Sequence, residues 1–256
     1  MARIDLNCDM GESFGAWHMG HDTEVMGGIT SANVACGFHG GDPEVMRQTV
    51  RLAKQHGVAV GAHPGLPDLV GFGRREMKVS ARELEHMMLY QIGALAAMAA
   101  AEGVRLQHVK AHGALYNMTS RDAELAAAIA RAVAAFDRGL ILLGLPDSEL
   151  IRAGDSAGLR TAAEGFADRA YEPDGSLASR RKAGAVIHDP ELVVARAVRM
   201  VCEGGVVATD GSWVPLKIQT ICTHGDTPGA HDLVRRLRAA LAAQDVTLCP
   251  MGAAAA

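Results

Sequence analysis

The chain is poor in aromatic residues, 4% of 256, and so offers no stacking platform for bases. Its formal net charge is −4 with arginines dispersed along it; it lacks the basic stripe that marks nucleic-acid binding, and nothing points to a lipid surface. No Cys-x-x-Cys pair occurs among Cys8, Cys36, Cys202, Cys222 and Cys249, and an odd set without that spacing reads as free thiols of a reducing cytoplasm. Cys8, Cys36 and Cys222 stand beside polar clusters, yet small buried strand residues explain them better than nucleophiles do. No basic-then-apolar leader and no membrane-length apolar run is present. Neither Gly-x4-Gly-Lys-Ser/Thr nor a Gly-x-Gly-x-x-Gly turn after the first strand occurs, which leaves a P-loop or dinucleotide site unsupported. No linker composition divides the chain, so residues 1–252 read as one α/β domain with 253–256 as a frayed tail.

Lysine is also scarce, five against twenty arginines, and one of the five, Lys110, falls in the apolar stretch Leu106–Ala111. That stretch reads as a strand that Gly113 turns sharply. Lys110 and His112, two apart, project to one side. A snorkelling lysine beside a core histidine accounts for one such pair; it does not account for the recurrence of the same pattern along the chain.

Arg3–Cys8 reads as a first strand that runs into Asn7, Asp9, Gly11 and Glu12. Thr30–Cys36 is the second and leads to His39. Asp42-Pro43-Glu44 opens a helix as N-cap, first-position proline and first-turn acid, and Gly57 closes it. Val58–Ala62 is the third strand, ending at His63, before a glycine-punctuated loop with Arg74 and Arg75, whose guanidinium forks suit a carboxylate. Ser80 and Glu83 form a capping box for a helix to Glu102. A helix is expected from Thr119 or Ser120 to Asp137, a fifth strand at 139–144, and a sixth at 159–161. The charged, glycine-broken segment 164–184, with Asp168 and Arg169, reads as a lid or an insertion over an opening. A second Asp-Pro-Glu helix start at Asp189 follows, then a hairpin around Asp210-Gly211. The last strand, 218–223, ends at His224 and Asp226, and a closing helix is capped by Thr227.

About seven alternations of strand and helix with short connections predict a parallel sheet covered by helices. Asp9, His39, His63, His112, Glu164 and His224 each follow a different strand, and a barrel gathers such ends on one rim where an open sheet would not. The fold expected is therefore α/β, a distorted (β/α) TIM-like barrel of about seven strands.

Asp5–Glu12, Ser31–His39, Gly61–Pro64, Asp68–Arg75, Lys110–Asn117, Phe166–Tyr171 and Cys222–Gly229 resemble, in order and over nearly the whole chain, the segments of the LamB/YcsF family. The resemblance implies a distorted barrel similar to the glycoside hydrolase/deacetylase fold. It further implies the cytoplasmic A subunit of an ATP-dependent 5-oxoprolinase, working with subunits B and C to open the lactam 5-oxo-L-proline to L-glutamate. ATP, with Mg2+, would be bound here or by a partner subunit. Residues depart from the expected pattern at Gly40, Gly65-Leu66 and Ala111, none of them charged.

On chemical grounds Asp9 with His39 or His63 would activate water, and Lys110 and His112 would stabilise the developing oxyanion. His224 and Asp226 would support them or protonate the departing amine. Substrate contacts are expected from Asn7, Glu12, Arg74, Arg75, Asn117 and Arg169. Two rival readings use the same residues. One is a metal-dependent deacetylase or amidohydrolase needing no ATP, with Asp9, His39 and His63 as ligands. The other is a module that binds a lactam without transforming it.

Overall fold

The computed structural model describes residues 2–224 and 229–253. In chain order its elements are β1 (Arg3–Met10), α1 (Asp22–Val25) with a 3-10 turn (Met26–Gly28), β2 (Ser31–Ala35), α2 (Pro43–His56), β3 (Ala59–His63), α3 (Ala81–Ala101), β4 (Leu106–Lys110), α4 (Gly113–Thr119), α5 (Ala123–Phe136), β5 (Ile141–Gly144), α6 (Glu149–Ser156), β6 (Arg160–Phe166), α7 (Pro190–Cys202), β7 (Gly205–Val207), β8 (Trp213–Pro215), β9 (Thr220–His224), α8 (Ala230–Ala242) and β10 (Thr247–Leu248).

The strands β1-β2-β3-β4-β5-β6-β9 are parallel neighbours, and β9 pairs back onto β1 through Asp5↔Thr220 to Asp9↔His224. This closes a seven-stranded barrel, as the strand-end argument predicts. β10 adds a short parallel pairing at the start of β1, and β7 and β8 form the small antiparallel hairpin. No helix among the described residues is long and apolar enough to cross a membrane.

Alternation along β1 explains both its faces. Ile4, Leu6, Cys8 and Met10 are buried in the apolar layer between sheet and helices, while Asp5, Asn7 and Asp9 point into the barrel, where they bond to residues of other strands. Barrel interiors are more often filled by branched apolar side chains; this one is polar. Gly61 makes room for that filling, because a Cβ there would stand 2.1 Å from His108 Nε2.

The helix signals act as expected. Asp42 accepts from the N–H groups of Glu44 and Val45, the Ser80–Glu83 capping box is complete, and Gly57 caps α2 with φ +67°. Three features differ from the sequence expectation. Gly113 does not merely turn the chain; with φ +56° it opens the extra helix α4, and Asp122 rather than Thr119 or Ser120 caps α5. β6 continues to Phe166, which puts Glu164 inside the strand; the small residues Ala162, Ala163 and Gly165 give it no apolar signature. Thr227, the expected cap, lies outside the described residues, and Gly229 precedes α8.

Candidate active site

The barrel interior is stacked in levels. At the bottom, Asp5 accepts hydrogen bonds from the hydroxyls of Thr30 (2.7 Å), Ser31 (2.6 Å) and Thr220 (2.5 Å). Burial pushes its carboxyl up, against the pull of those hydroxyls. Above it, Asn7 donates to Glu164 Oε1 (3.0 Å) and Thr220 Oγ1 (2.6 Å). Asn33 donates to Asn7 Oδ1 (2.7 Å) and Asp9 Oδ1 (2.8 Å). Since the Asn33 amide nitrogen is spent on those bonds, its oxygen accepts from His108 Nε2 at 2.7 Å. His108 is held neutral, its pKa lowered to about 3 by burial and by the nearby Lys110 charge.

Lys110 reaches upward from the end of β4. Its Nζ lies 2.9 Å from Asp9 Oδ1 and 2.8 Å from Glu164 Oε1, donates to Cys222 Sγ at 3.1 Å, and sits 5.4 Å from the centre of the Phe166 ring. Burial works against its charge, but Asp9, the Cys222 sulfur and Glu164 outweigh it and hold the ammonium well above its usual range. Burial likewise drives the Cys222 and Cys8 thiols well up and Cys36 to about 12, so none of the three is an activated nucleophile.

The next level holds four groups from four segments: Glu12 after β1, His39 after β2, His63 at the end of β3 and His112 after β4. Their ligating atoms all lie within 4.8 Å of one another. His39 and His112 stack with ring centres 3.7 Å apart and planes 3° from parallel, and His63 meets both edge-on. Glu12 Oε1 is 3.4 Å from His39 Nε2 and 3.4 Å from His112 Nδ1; Asp9 Oδ2 is 3.3 Å from His63 Nε2. Burial, then the neighbouring imidazoles, lower the pKa of His39 and His112 well below the ordinary value. Neutral imidazoles with carboxylates alongside form a donor set that fits a divalent metal ion.

His63, Lys110, His112 and Asp9 form the floor of a cavity of about 810 Å³. Arg74, Asn117, Arg121 and Arg169 also line it, together with Ser176–Lys182 of the 164–184 segment. Tyr171 anchors that segment: its hydroxyl accepts from the Phe166 N–H at 2.8 Å, and it is buried.

The structure thus brings Asp9, His63, Lys110 and His112 together at the cavity floor, with His39 and Glu12 immediately behind them. Asn7 lies lower, fully buried in the interior network. Arg74 is at the wall with its guanidinium over the Phe72 ring. Arg75, at the margin, pairs with Asp68. Arg169 is buried and donates to the carbonyls of Ala185 (3.2 Å) and Ala178 (2.7 Å), bonds that hold the stretch between β6 and α7 to itself. Asn117 donates to the Gly113 carbonyl at 3.2 Å. Asp226 and the side chain of His224 lie outside the described residues. Asn33, His108 and Tyr116 also belong to the site, and reasoning from sequence did not name them. Asn33 stands two residues after Ser31, on the same alternating face of β2, and that period was the available signal.

The sequence model of the LamB/YcsF family matches residues 4–256. A protein described as the A subunit of 5-oxoprolinase, from Symbiobacterium thermophilum, is 57% identical over 251 residues, covering 98% of this chain and 96% of its own length. One of the same description from Thermococcus onnurineus is 54% identical over 250 residues, covering 98% of each. Among solved structures, a lactam utilization protein from Thermus thermophilus superposes with a TM-score of 0.92 at 52% identity, covering 96% of this chain and 99% of its own. A putative cellobiose-phosphate cleavage protein from Enterococcus faecalis V583, at 15% identity and a TM-score of 0.54, shares the fold alone.

Proposed function

Because the chain belongs to the LamB/YcsF family, we propose that it is the A subunit of a cytoplasmic 5-oxoprolinase, which opens 5-oxo-L-proline to L-glutamate with consumption of ATP and with subunits B and C as partners. The observation that carries this reading is the buried Lys110 ammonium, held between Asp9 and Glu164 beneath a cavity large enough for a small lactam.

A five-membered lactam is hard to open because its amide is resonance-stabilised and the freed amine stays beside the carbonyl, ready to close again. Transfer of a phosphoryl group from ATP to the carbonyl oxygen makes that oxygen a leaving group. One water then adds to the ring carbon, the C–N bond breaks, and the nitrogen takes a proton to become the free amine. A second water releases phosphate and leaves the carboxylate. MgATP is bound by the assembled complex. The cavity, lined by Arg74, Arg121, Arg180 and Arg181 among others, suits an anionic substrate, whether the charge is its own carboxylate or an added phosphoryl group.

Each floor residue has a role in that sequence. Of the two carboxylates that flank Lys110, Asp9 is 14% exposed at its side chain and Glu164 0%, so Asp9 is the one that water can reach. It acts as general base, with His63 beside it. The Lys110 ammonium, desolvated and fixed, stabilises negative charge that grows on the oxygen of the attacked carbon. Arg74 holds the substrate carboxylate.

The test is glutamate release from 5-oxo-L-proline, with and without ATP, by this chain alone and with its B and C partners. Release only with ATP and partners is expected. No release by a folded, assembled complex would overturn the assignment. The imidazole cluster favours one second reading, a metal-dependent amide hydrolase, which ATP-independent turnover by the chain alone would bring forward.

A further inference from the structure

We infer that Glu12, His39, His63 and His112 form a binding site for one divalent transition-metal ion of the zinc class. Hydrogen bonds fix the ring tautomers. Carbonyl oxygens only accept, so His63 Nδ1, 2.8 Å from the Lys110 carbonyl, carries the hydrogen, and so does His112 Nε2, 2.8 Å from the Phe72 carbonyl. The other nitrogens of the two rings, His63 Nε2 and His112 Nδ1, turn toward one another and stand 2.9 Å apart. With the carbonyls occupying the far side of each ring, these two nitrogens are turned toward the point where Glu12 and His39 also converge, all four ligating atoms within 4.8 Å of one another.

His39 supplies a second, independent observation. It is buried to 1% exposure, and neither ring nitrogen has a hydrogen-bond partner. A buried polar group in that state costs free energy that a metal ion would recover. Spacing agrees as well. Ligands about 2.1 Å from a tetrahedral centre stand about 3.4 Å from one another, which is the separation of Glu12 Oε1 from both His39 Nε2 and His112 Nδ1.

The carbonyl bonds of His63 and His112 are the outer contacts that orient metal-binding imidazoles. Three imidazoles and one carboxylate, with no thiolate, suit Zn2+, Co2+ or Mn2+ better than Mg2+ or Ca2+, which prefer oxygen. Charge favours a cation too, since the carboxyl groups of Asp9, Glu12 and Glu164 face one ammonium at this depth. Bound there, the ion would serve as a Lewis acid beside Asp9, at the floor of the cavity that His63 and His112 help to line. The site is composed of different ligands from an Asp9-His39-His63 set: Asp9 Oδ1 accepts from Lys110 and Asn33, and the donors that converge are those of Glu12, His39, His63 and His112.

This inference stands whether or not the substrate is a lactam, because its test reads metal rather than turnover. The untagged full-length chain is stripped with a chelator and dialysed separately against Zn2+, Co2+, Mn2+ and Mg2+; bound metal is measured by mass spectrometry. About one equivalent of Zn2+ or Co2+ per chain is expected, with visible Co2+ bands of a nitrogen-rich, low-coordinate site. His39→Ala and His112→Ala should each weaken binding by about 100-fold or more, while His86→Ala, an exposed histidine on α3, should not. A wild-type chain that stays metal-free in all four dialyses overturns the proposal, whatever the variants do. Loss of binding in His86→Ala, or full binding in both cluster variants, overturns it equally.

Discussion

The lower and upper levels of the barrel interior use the same kinds of side chain and differ in how those side chains are satisfied. Below, Asp5, Thr30, Ser31, Asn7, Asn33 and Thr220 close a network of hydrogen bonds in which hydroxyls and amides meet carboxylate and amide oxygens. Above, His63 Nε2 and His112 Nδ1 face each other at 2.9 Å, and the ring nitrogens of His39 have no hydrogen-bond partner. Bonds closed in this way rigidify a fold, whereas several ring nitrogens and a carboxylate converging on one point can hold a ligand. Lys110 stands at the boundary, with Asn7 as one partner and Asp9 as another. Substitutions on either side of that boundary should separate stability from activity.

The largest effect is expected at the boundary itself. Lys110→Met leaves Asp9 and Glu164 buried without their cation, and breaking such a pair costs about 3–5 kcal/mol. A urea midpoint well below wild type and loss of glutamate release in the assembled complex should appear together. Normal stability would mean that the two carboxyls do not rely on the ammonium.

Asp9→Asn isolates the upper level. The amide oxygen still accepts from Lys110 and Asn33, so the fold should survive, while a general base is lost at a cost of about 10²–10⁴-fold in turnover. Turnover within a few-fold of wild type, with an unchanged melting temperature, would take Asp9 out of the mechanism.

Asp5→Ala is the mirror experiment below. It strips three hydroxyls of their shared acceptor, and unsatisfied buried groups cost about 1–3 kcal/mol. Stability should fall while the turnover of the folded fraction stays near wild type. If turnover falls as far as it does in Asp9→Asn, the two levels are not functionally distinct.

The same boundary separates what was legible in the sequence from what was not. Alternation showed that Asn7 and Asp9 share a face, and punctuation by Asp42, Gly57, Ser80 and Gly103 located the helices that force strand ends onto one rim. From these the barrel follows. Convergence could not be read: Glu12, His39, His63 and His112 come from segments up to about a hundred residues apart, and only barrel closure decides that they touch. That Glu164 lies inside β6 rather than after it escaped because the strand is made of small residues, and the interior position of His108 escaped because Gly61 on the neighbouring strand clears the space. Arg169 illustrates the opposite limit. A guanidinium in a charged loop suggests a carboxylate clamp, but which of its partners are backbone carbonyls depends on how the loop folds.

The smallest effect tests how the upper level is held in place from outside the barrel. Asp22 of α1 accepts from the Gly11 N–H at 2.7 Å, one residue before Glu12, and so fixes the turn that carries that ligand. Burial, opposed by that N–H and assisted by the charge of Glu12, raises its pKa from 3.8 to about 6. An acid raised in the folded state binds its proton more tightly there than in the unfolded chain. The stability this adds is present below pH 3.8 and is lost as pH rises through about 6. In Asp22→Asn the side-chain amide oxygen could still accept from Gly11 without that loss, so the decline between those limits should flatten. Because Asp22 is partly exposed, the gain at pH 7 should be about 1–2 kcal/mol rather than the full value of the shift. Urea midpoints from pH 4 to 7 measure it: curves that diverge with rising pH are expected, and parallel curves would mean that solvent reaches Asp22 freely and that the turn before Glu12 is held by other contacts.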